Sequence, residues 1–507
     1  MKLNSTVLAF AILFSIALVF SFSTDKILDP DSLYHIRHAD IYKTGGLFQT
    51  DFPWTQFSVI KTHTSDIWYG FHLLLIPFTL FTNLFVGIKL SAAILTAVTL
   101  FLIYSVLKRH NISYTLFWVI FLYFSAADFL FRINMARPQT ISLGLLALLL
   151  SLFIKSRKVW PIFLVSFLIS FLHLAFFWAA LLIGFIVVGI KLALEKTLER
   201  DKFLPLFGGL ILGWLLRPNP FGALKILKVQ LFELLLEKQK SVPLLFGEDI
   251  LPLDWAAIKF QLIPAILLLA LSLGIFLWVW KSGRLKTEVK STQVFLWSLL
   301  ALMSIFAVLA FQIGRRASDF AVVYLILFLA QLMTRQISFN RIIGAGIVII
   351  FIFAVFRHSY TFDLYTKASN VVGPNDLKEV SLWLKENTKP GEIIFHTSWD
   401  MFPMLFFWNQ QNYYINGMDP IFEYAFSREL YWKNHFIAIG GKPYTCASLP
   451  CEEKNSESLR EVISQDFNAS YAIVELDRNA GLNRNLQTDP GFEKIFTTAN
   501  EVIYRVK

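Results

Sequence analysis

The sequence predicts a polytopic α-helical membrane protein of about eleven transmembrane helices, followed by a C-terminal extracytoplasmic α/β domain. Three observations predict it. The 507 residues are 56% hydrophobic and only 16% charged, with a mean hydropathy of +0.57, against roughly 25% charged in a soluble domain. Apolar runs approaching the roughly 20 residues that cross a bilayer recur through the first 356 positions. Beyond about residue 357 hydropathy falls and turn chemistry appears, as in Gly373-Pro374-Asn375 and Lys389-Pro390-Gly391.

The first apolar segment, about 7–22, follows Lys2 and ends in Ser-Phe-Ser-Thr without a small-x-small cleavage site. It reads as an uncleaved anchor with a cytoplasmic N-terminus. Further spans are expected at about 85–107, 113–131, 139–154, 159–172, 174–192, 203–216, 260–280, 291–313, 318–334 and 341–356. Basic clusters at 108–109, 155–158, 191–202, 281–290 and 335–341 fall on alternate sides, as cytoplasmic loops should. The net charge of +10 is therefore read as orientation in the plasma membrane, not as a nucleic-acid surface. An odd number of spans leaves the last segment outside. The expected domains are 1–356, with an outer loop at about 24–84, and 357–507.

Within the last segment, Asn375 through Asn387 reads as a helix, and so does Glu457 to Asp466. Strands are expected at 392–396, 413–415, 471–476 and 502–506. The only cysteines, Cys446 and Cys451, lie here. A short disulfide or two unpaired thiols are both open.

The chemistry concentrates just after the anchor, in Asp29-Pro30-Asp31-Ser32-Leu33-Tyr34-His35 and Arg37. Capping accounts for Asp29 and Pro30, with Gly45-Gly46 as the helix end. It leaves the gathering of Asp31, Tyr34, His35 and Arg37 unexplained. The same loop continues to His63 and Asp66 ahead of the Trp68-Tyr69 interface pair. Other outer clusters are Asp128, Arg132, Asn134 and Arg137; Arg315, Arg316 and Asp319; and Arg217 to Lys259, with Glu248-Asp249. Arginine suits phosphate because its planar fork donates two hydrogen bonds and keeps its charge. His173, at a turn between short apolar runs, reads as a packing residue.

A paired acidic motif just after the first membrane helix resembles the GT-C membrane glycosyltransferase superfamily. Asp29-Pro30-Asp31 with Tyr34-His35-x-Arg37 looks most similar to its oligosaccharyltransferase branch. The resemblance implies transfer of a sugar or oligosaccharide from a polyprenyl-phosphate-linked donor to an acceptor glycan, lipid or protein at the outer face. It implies catalytic roles for Asp31 and Asp29. Substrate contacts would come from His35, Arg37, His63, Asp66, Arg132, Arg315, Arg316, Trp399 and Asp400. If the reaction uses Mg2+ or Mn2+, the tentative ligands are Asp29, Asp31 and Glu248; a metal-free reaction stays open. Ser398-Trp399-Asp400-Met401-Phe402 matches the branch's Trp-Trp-Asp-Tyr-Gly motif only at Trp399 and Asp400, which counts against transfer to an Asn-x-Ser/Thr peptide. A helix cap at Asp400 is the plain alternative. A lipid-linked saccharide flippase would need ionisable groups near mid-membrane, and the expected spans carry theirs near outer ends. A non-catalytic scaffold would leave the first-loop charges dispensable.

Overall fold

The computed structural model describes the backbone of residues 5–240, 244–335, 341–368, 371–446 and 454–507. Two compact units result. One comprises Met1–Leu28, Trp68–Leu216 and Glu248–Val371; the other comprises Asp29–Ile67, Arg217–Gly247 and Val372–Lys507.

The first unit is helical. Among the described residues, eight helices are long and apolar enough to cross a bilayer, or nine if one bent pair counts as a span. Pro138–Lys155 and Ala317–Thr334 are mostly buried within the unit, while Ser5–Phe22 and Ile342–Lys367 leave most of their surface uncovered, as lipid-facing helices do. The chain is thus a multi-pass membrane protein.

All eleven expected segments are helical, and two local features keep three of them from reaching bilayer-spanning length as single straight helices. Helices Trp160–Leu172 and Phe203–Leu215 have 13 residues each, about 20 Å at 1.5 Å per residue, against a hydrocarbon core of about 30 Å. They pack backbone to backbone. A Cβ on Gly209 would lie 2.3 Å from the Phe163 carbonyl oxygen, and one on Gly213 would lie 2.5 Å from that of Phe167. This is the close approach that small residues four apart permit. The expected span at 113–131 is instead Thr115–Tyr123 plus Ala127–Ile133, bent by 95° where Ala126 is extended. Arg137 is extended before Pro138, which opens the next helix. Asp128 and Arg132 therefore sit on a short helix of their own. At the other end, helix Arg341–Lys367 runs on past residue 356, so the division read from hydropathy falls inside it.

The second unit is built on a five-stranded sheet in the order β2-β1-β5-β7-β6. Its strands are β1 (Ile393–His396), β2 (Tyr413–Tyr414), β5 (Ala469–Glu475), β6 (Phe492–Thr497) and β7 (Glu501–Val506). β3 (Tyr444–Cys446) and β4 (Lys454–Ser456) form a separate antiparallel pair. β2, β1 and β5 are parallel, whereas β7 and β6 are added antiparallel. Phe395, Ile437, Phe467, Val474, Leu482 and Val502 form the core. Cys446 is disulfide-bonded; Cys451 lies outside the described residues.

The segment after the anchor joins this sheet. Tyr414 N–H donates to the Trp54 carbonyl (2.8 Å), and Gln56 and Phe57 donate to Tyr414 and Ile415 (2.8 Å each). Helix Asp31–Gly45 ends at Gly46, whose φ of 105° suits only glycine. It packs on helix Phe402–Trp408 through Tyr34, whose ring lies 6.1 Å from that of Phe406.

The glycine contacts make a specific demand. Gly209→Ala should cost about 1–3 kcal/mol through overpacking. Gly208→Ala, whose Cβ would be 3.6 Å from the Phe163 ring, should be neutral or stabilising. Thermal unfolding of both variants in detergent checks this, and equal effects would contradict the packing.

Candidate active site

Helix Asp31–Gly45 carries the first cluster. Asp29 accepts hydrogen bonds from the Ser32 N–H (3.1 Å) and hydroxyl (2.5 Å), so it closes the helix's first turn. Asp31 follows in that turn, partly exposed. Tyr34, His38 and Tyr42 come three, seven and eleven residues later, on the same helical face. The Tyr34 hydroxyl and His38 Nδ1 are 2.9 Å apart, and Tyr42 donates to Asp66 (3.0 Å). Burial raises the Tyr34 phenol well above its ordinary value, and the charges of Asp66 and Asp31 raise it further. Both carboxylates therefore bear on one buried hydroxyl. Arg217 donates to the Asp66 carbonyl (3.1 Å); burial pushes its guanidinium down to about 10 despite Asp66, leaving it charged at neutral pH.

The other first-loop residues have structural partners. His35 is buried with its ring 5.2 Å from that of Tyr34. Arg37 donates to Asp40 (2.9 Å) and the Phe407 carbonyl (3.0 Å), and stacks 4.9 Å from the Phe407 ring centroid. The His63 carbonyl accepts from Asn219 (2.7 Å), while burial and Lys225 lower its imidazole.

A second cluster lies within the helical unit. Buried Arg132 grips Asp319 with a two-pronged fork (2.8 and 2.7 Å) and also donates to Asp128 (2.9 Å). Asp249 then receives three guanidiniums: Arg132 (3.4 Å), Arg137 (3.3 Å) and Arg316. Burial raises the Asp249 carboxyl, but Arg316, Arg132 and Arg137 outweigh it and hold it far below the usual carboxylate range. Backbone bonds clip the turn in place, from Arg315 N–H to the Leu251 carbonyl (2.8 Å) and from Arg316 N–H to that of Asp249 (3.2 Å). Arg132, Arg137 and Arg316 line a small cavity with Gln139, Thr140 and Phe320. The Glu248 side chain lies outside the described residues. His173 packs edge-on against Phe176.

The third cluster sits where β1 ends. Trp399 donates to the Leu245 carbonyl (2.7 Å). Asp400 caps no helix; it accepts from Ser398 and from Arg478 (2.9 and 3.3 Å). Nearby, the buried Glu423 carboxyl accepts from Asn416 (2.6 Å) and Asn434 (3.2 Å). Burial pushes it up to about 7, although both amides lower it.

No family model matches the sequence, and no curated protein matches it significantly. Solved structures do. The oligosaccharyltransferase of Archaeoglobus fulgidus in its apo form is 12% identical with a TM-score of 0.57, over 94% of this chain and 70% of that one. The same enzyme tethered by a disulfide bond to an acceptor peptide containing the NVT sequon gives 12% and 0.61, over 100% and 74%. Apo ArnT from Cupriavidus metallidurans gives 11% and 0.54, over 99% and 98%. The chain has the GT-C fold.

On this GT-C frame the residues singled out from sequence fall into three groups. Asp31 and Asp66 share one cluster, Arg132 and Arg316 another, and Trp399 and Asp400 the third. Of the tentative metal ligands, Asp29 has both oxygens on Ser32. Sequence reasoning did not single out His38 and Tyr42, though their spacing from Asp31 was readable. It noted Asp249 without assigning its role, because its partners Arg137 and Arg132 are 112 and 117 positions away. No local signal marked Glu423 or Asn434.

Glu423 yields a pH test. Its carboxyl binds a proton more tightly in the folded protein, at about 7, than at its ordinary 4.5. Stability from the protonated form is then full below 4.5 and is lost as pH rises to about 7. Relative to Glu423→Gln, the wild-type thermal transition should fall across that window; parallel pH profiles would refute the buried acid.

Proposed function

We propose that this chain is a membrane glycosyltransferase that moves a sugar or oligosaccharide from a polyprenyl-phosphate-linked donor to an acceptor at the outer face of the membrane. The observation that carries the reading is the convergence of Arg132, Arg137 and Arg316 on the single carboxylate of Asp249. Three guanidiniums around one oxyanion make a position that suits a phosphate of the donor equally well. Asp31, the first-turn acid beside Tyr34 and Asp66, is the assigned base.

In the proposed reaction the acceptor oxygen or nitrogen attacks the anomeric carbon. The bond from that carbon to the phosphate oxygen breaks, and the phosphate leaves with the electron pair. The ionised Asp31 takes the acceptor's proton. Arginine stabilises the charge left on the phosphate. A divalent ion, if used, would supply further neutralisation, with Asp31 as the remaining hard oxygen donor for Mg2+ or Mn2+. Transfer to a peptide sequon is not part of the proposal, since Asp400 is engaged by Arg478 and most of the corresponding motif is absent. A flippase reading is disfavoured by the tight pairing of Arg132 with Asp319 and Asp128.

Purified protein incubated with labelled polyprenyl-phosphate sugars, with and without EDTA, should turn over at least one donor. Turnover of none would sink the reading, and turnover unaffected by EDTA would remove the metal. Asp249→Asn removes the one carboxylate that Arg132, Arg137 and Arg316 share and should bind polyprenyl phosphate about tenfold more tightly, roughly 1.4 kcal/mol. Weaker binding would mean that Asp249 only holds the arginines in place.

A further inference from the structure

In the sheet-bearing unit, residues 220–239 form one long helix, built from Pro220–Lys228, Val229–Glu233 and Leu234–Gln239. The backbone stays helical at the joints, with φ −61° and ψ −49° at Val229 and φ −54° and ψ −48° at Leu234. Asn219 closes the first turn by accepting from the Gly222 N–H (3.0 Å), and it donates to the His63 carbonyl (2.7 Å). One side of the helix packs on helices Val59–His63 and Pro420–Phe426, with Gly222, Ile226, Val229 and Leu234 buried. The step of five residues from Val229 to Leu234 falls on a π-helical turn, which keeps Leu234 on the buried side. Glu237 also turns inward, where it accepts from Tyr424 (3.3 Å) and pairs with Arg428 (3.5 Å).

The opposite face does not suit water. Phe221, Leu224, Lys225, Lys228, Phe232 and Leu236 follow one another at helical spacing, and all six are exposed. Phe221 is 67% exposed, Phe232 61% and Leu236 54%. A helix seated on its unit by one face normally shows water a polar one. This one shows large apolar side chains bracketing two lysines. Residues 220–240 hold four lysines and two glutamates. Because Glu237 is turned inward, the outer face keeps the basic excess.

We propose that this face is a membrane-contact surface, seated in the headgroup region of a bilayer that contains anionic phospholipid. The apolar side chains enter the acyl boundary, while the lysine stems run along it and leave their ammonium groups at the phosphates. Charge complementarity selects this partner. A second copy of the chain would bring the same lysines to the contact from both sides. The tether agrees with it. The helix opens five residues after the apolar helix Phe203–Leu215, and five residues reach about 17 Å at full extension. The proposal goes beyond the glycosyl-transfer reading and holds whatever donor the protein uses.

The test uses the full-length protein reconstituted in vesicles of phosphatidylglycerol and phosphatidylcholine. A nitroxide is attached at Phe232→Cys or, as a water-exposed reference, at Lys494→Cys on β6. Power saturation with oxygen and a water-soluble nickel chelate should place the Phe232→Cys label about 5–10 Å into the headgroup and acyl boundary, and the Lys494→Cys label in water. In vesicles of phosphatidylcholine alone, the oxygen-to-nickel accessibility ratio at Phe232→Cys should fall about threefold or more. The added pair Lys225→Glu and Lys228→Glu should lower it similarly in the mixed vesicles. These positions are exposed, so the substitutions leave the buried side of the helix intact. A Phe232→Cys label as open to nickel as the reference would overturn the proposal, and so would a ratio indifferent to lipid charge or to lysine reversal. Dipolar broadening between labels on separate copies that survives dilution into excess lipid would also overturn it, by making the face a contact between copies.

Discussion

The parallel pairing of residues 54–57 with β2 is the constraint on which the acidic cluster depends. A buried backbone must pair its polar groups, and here Trp54, Gln56 and Phe57 do so with Tyr414 and Ile415. The Trp54 indole adds a bond to the Gln410 carbonyl (2.8 Å). This seam makes the segment after the anchor part of the sheet-bearing unit. With its far end held, helix Asp31–Gly45 can lay Tyr34 against Phe402 and Phe406. Asp31 thereby sits on a packed helix whose first turn is closed by Asp29. Sites carried on helices hold their geometry better than sites on loops.

Charge is handled in two ways. Asp29, Arg37 and Asp400 are consumed by neighbours and serve the fold. Arg132 is buried and balanced by Asp319 and Asp128, and removing one partner of such a group costs several kcal/mol by stranding the other. The groups left for chemistry lie at the margins of these networks. Asp31 is partly exposed at its helix start, and Arg316 is the more solvent-accessible end of the arginine cluster, with 27% of its side chain exposed. A phosphate arriving at that margin would compete with a carboxylate, not enter an empty positive field.

Most long spans were legible in the sequence because apolar length is a local property. Helices Leu84–Arg109, Pro138–Lys155 and Lys290–Gln312 begin and end within a few residues of expectation. The short pair was legible too, since the expected 159–172 and 203–216 end within one residue of helices Trp160–Leu172 and Phe203–Leu215. The glycines that pack the pair were not read as a contact. The break at Ala126 has no proline or glycine to announce it. In the sheet-bearing unit, β1, β5 and β7 showed in their β-branched runs, but the partly exposed β6 and the helices at 402–440 did not. The acidic motif was legible as a cluster. Its division into a cap at Asp29 and a candidate base at Asp31 was legible too, and the Ser32 bonds support the cap; the arginine cluster needed pairings 67 to 187 positions apart.

Single-turnover transfer from a labelled polyprenyl-phosphate sugar, compared between Asp31→Asn and Asp29→Asn, tests the account most directly. Both substitutions are isosteric, and donor binding can be followed on the same samples. Loss of a positioned base should slow the Asp31 variant by about a hundredfold or more while it still binds donor, and the Asp29 variant should stay within a few-fold of wild type because asparagine still caps a helix. Transfer by Asp31→Asn near the wild-type rate, or an equal loss in both variants, would contradict it.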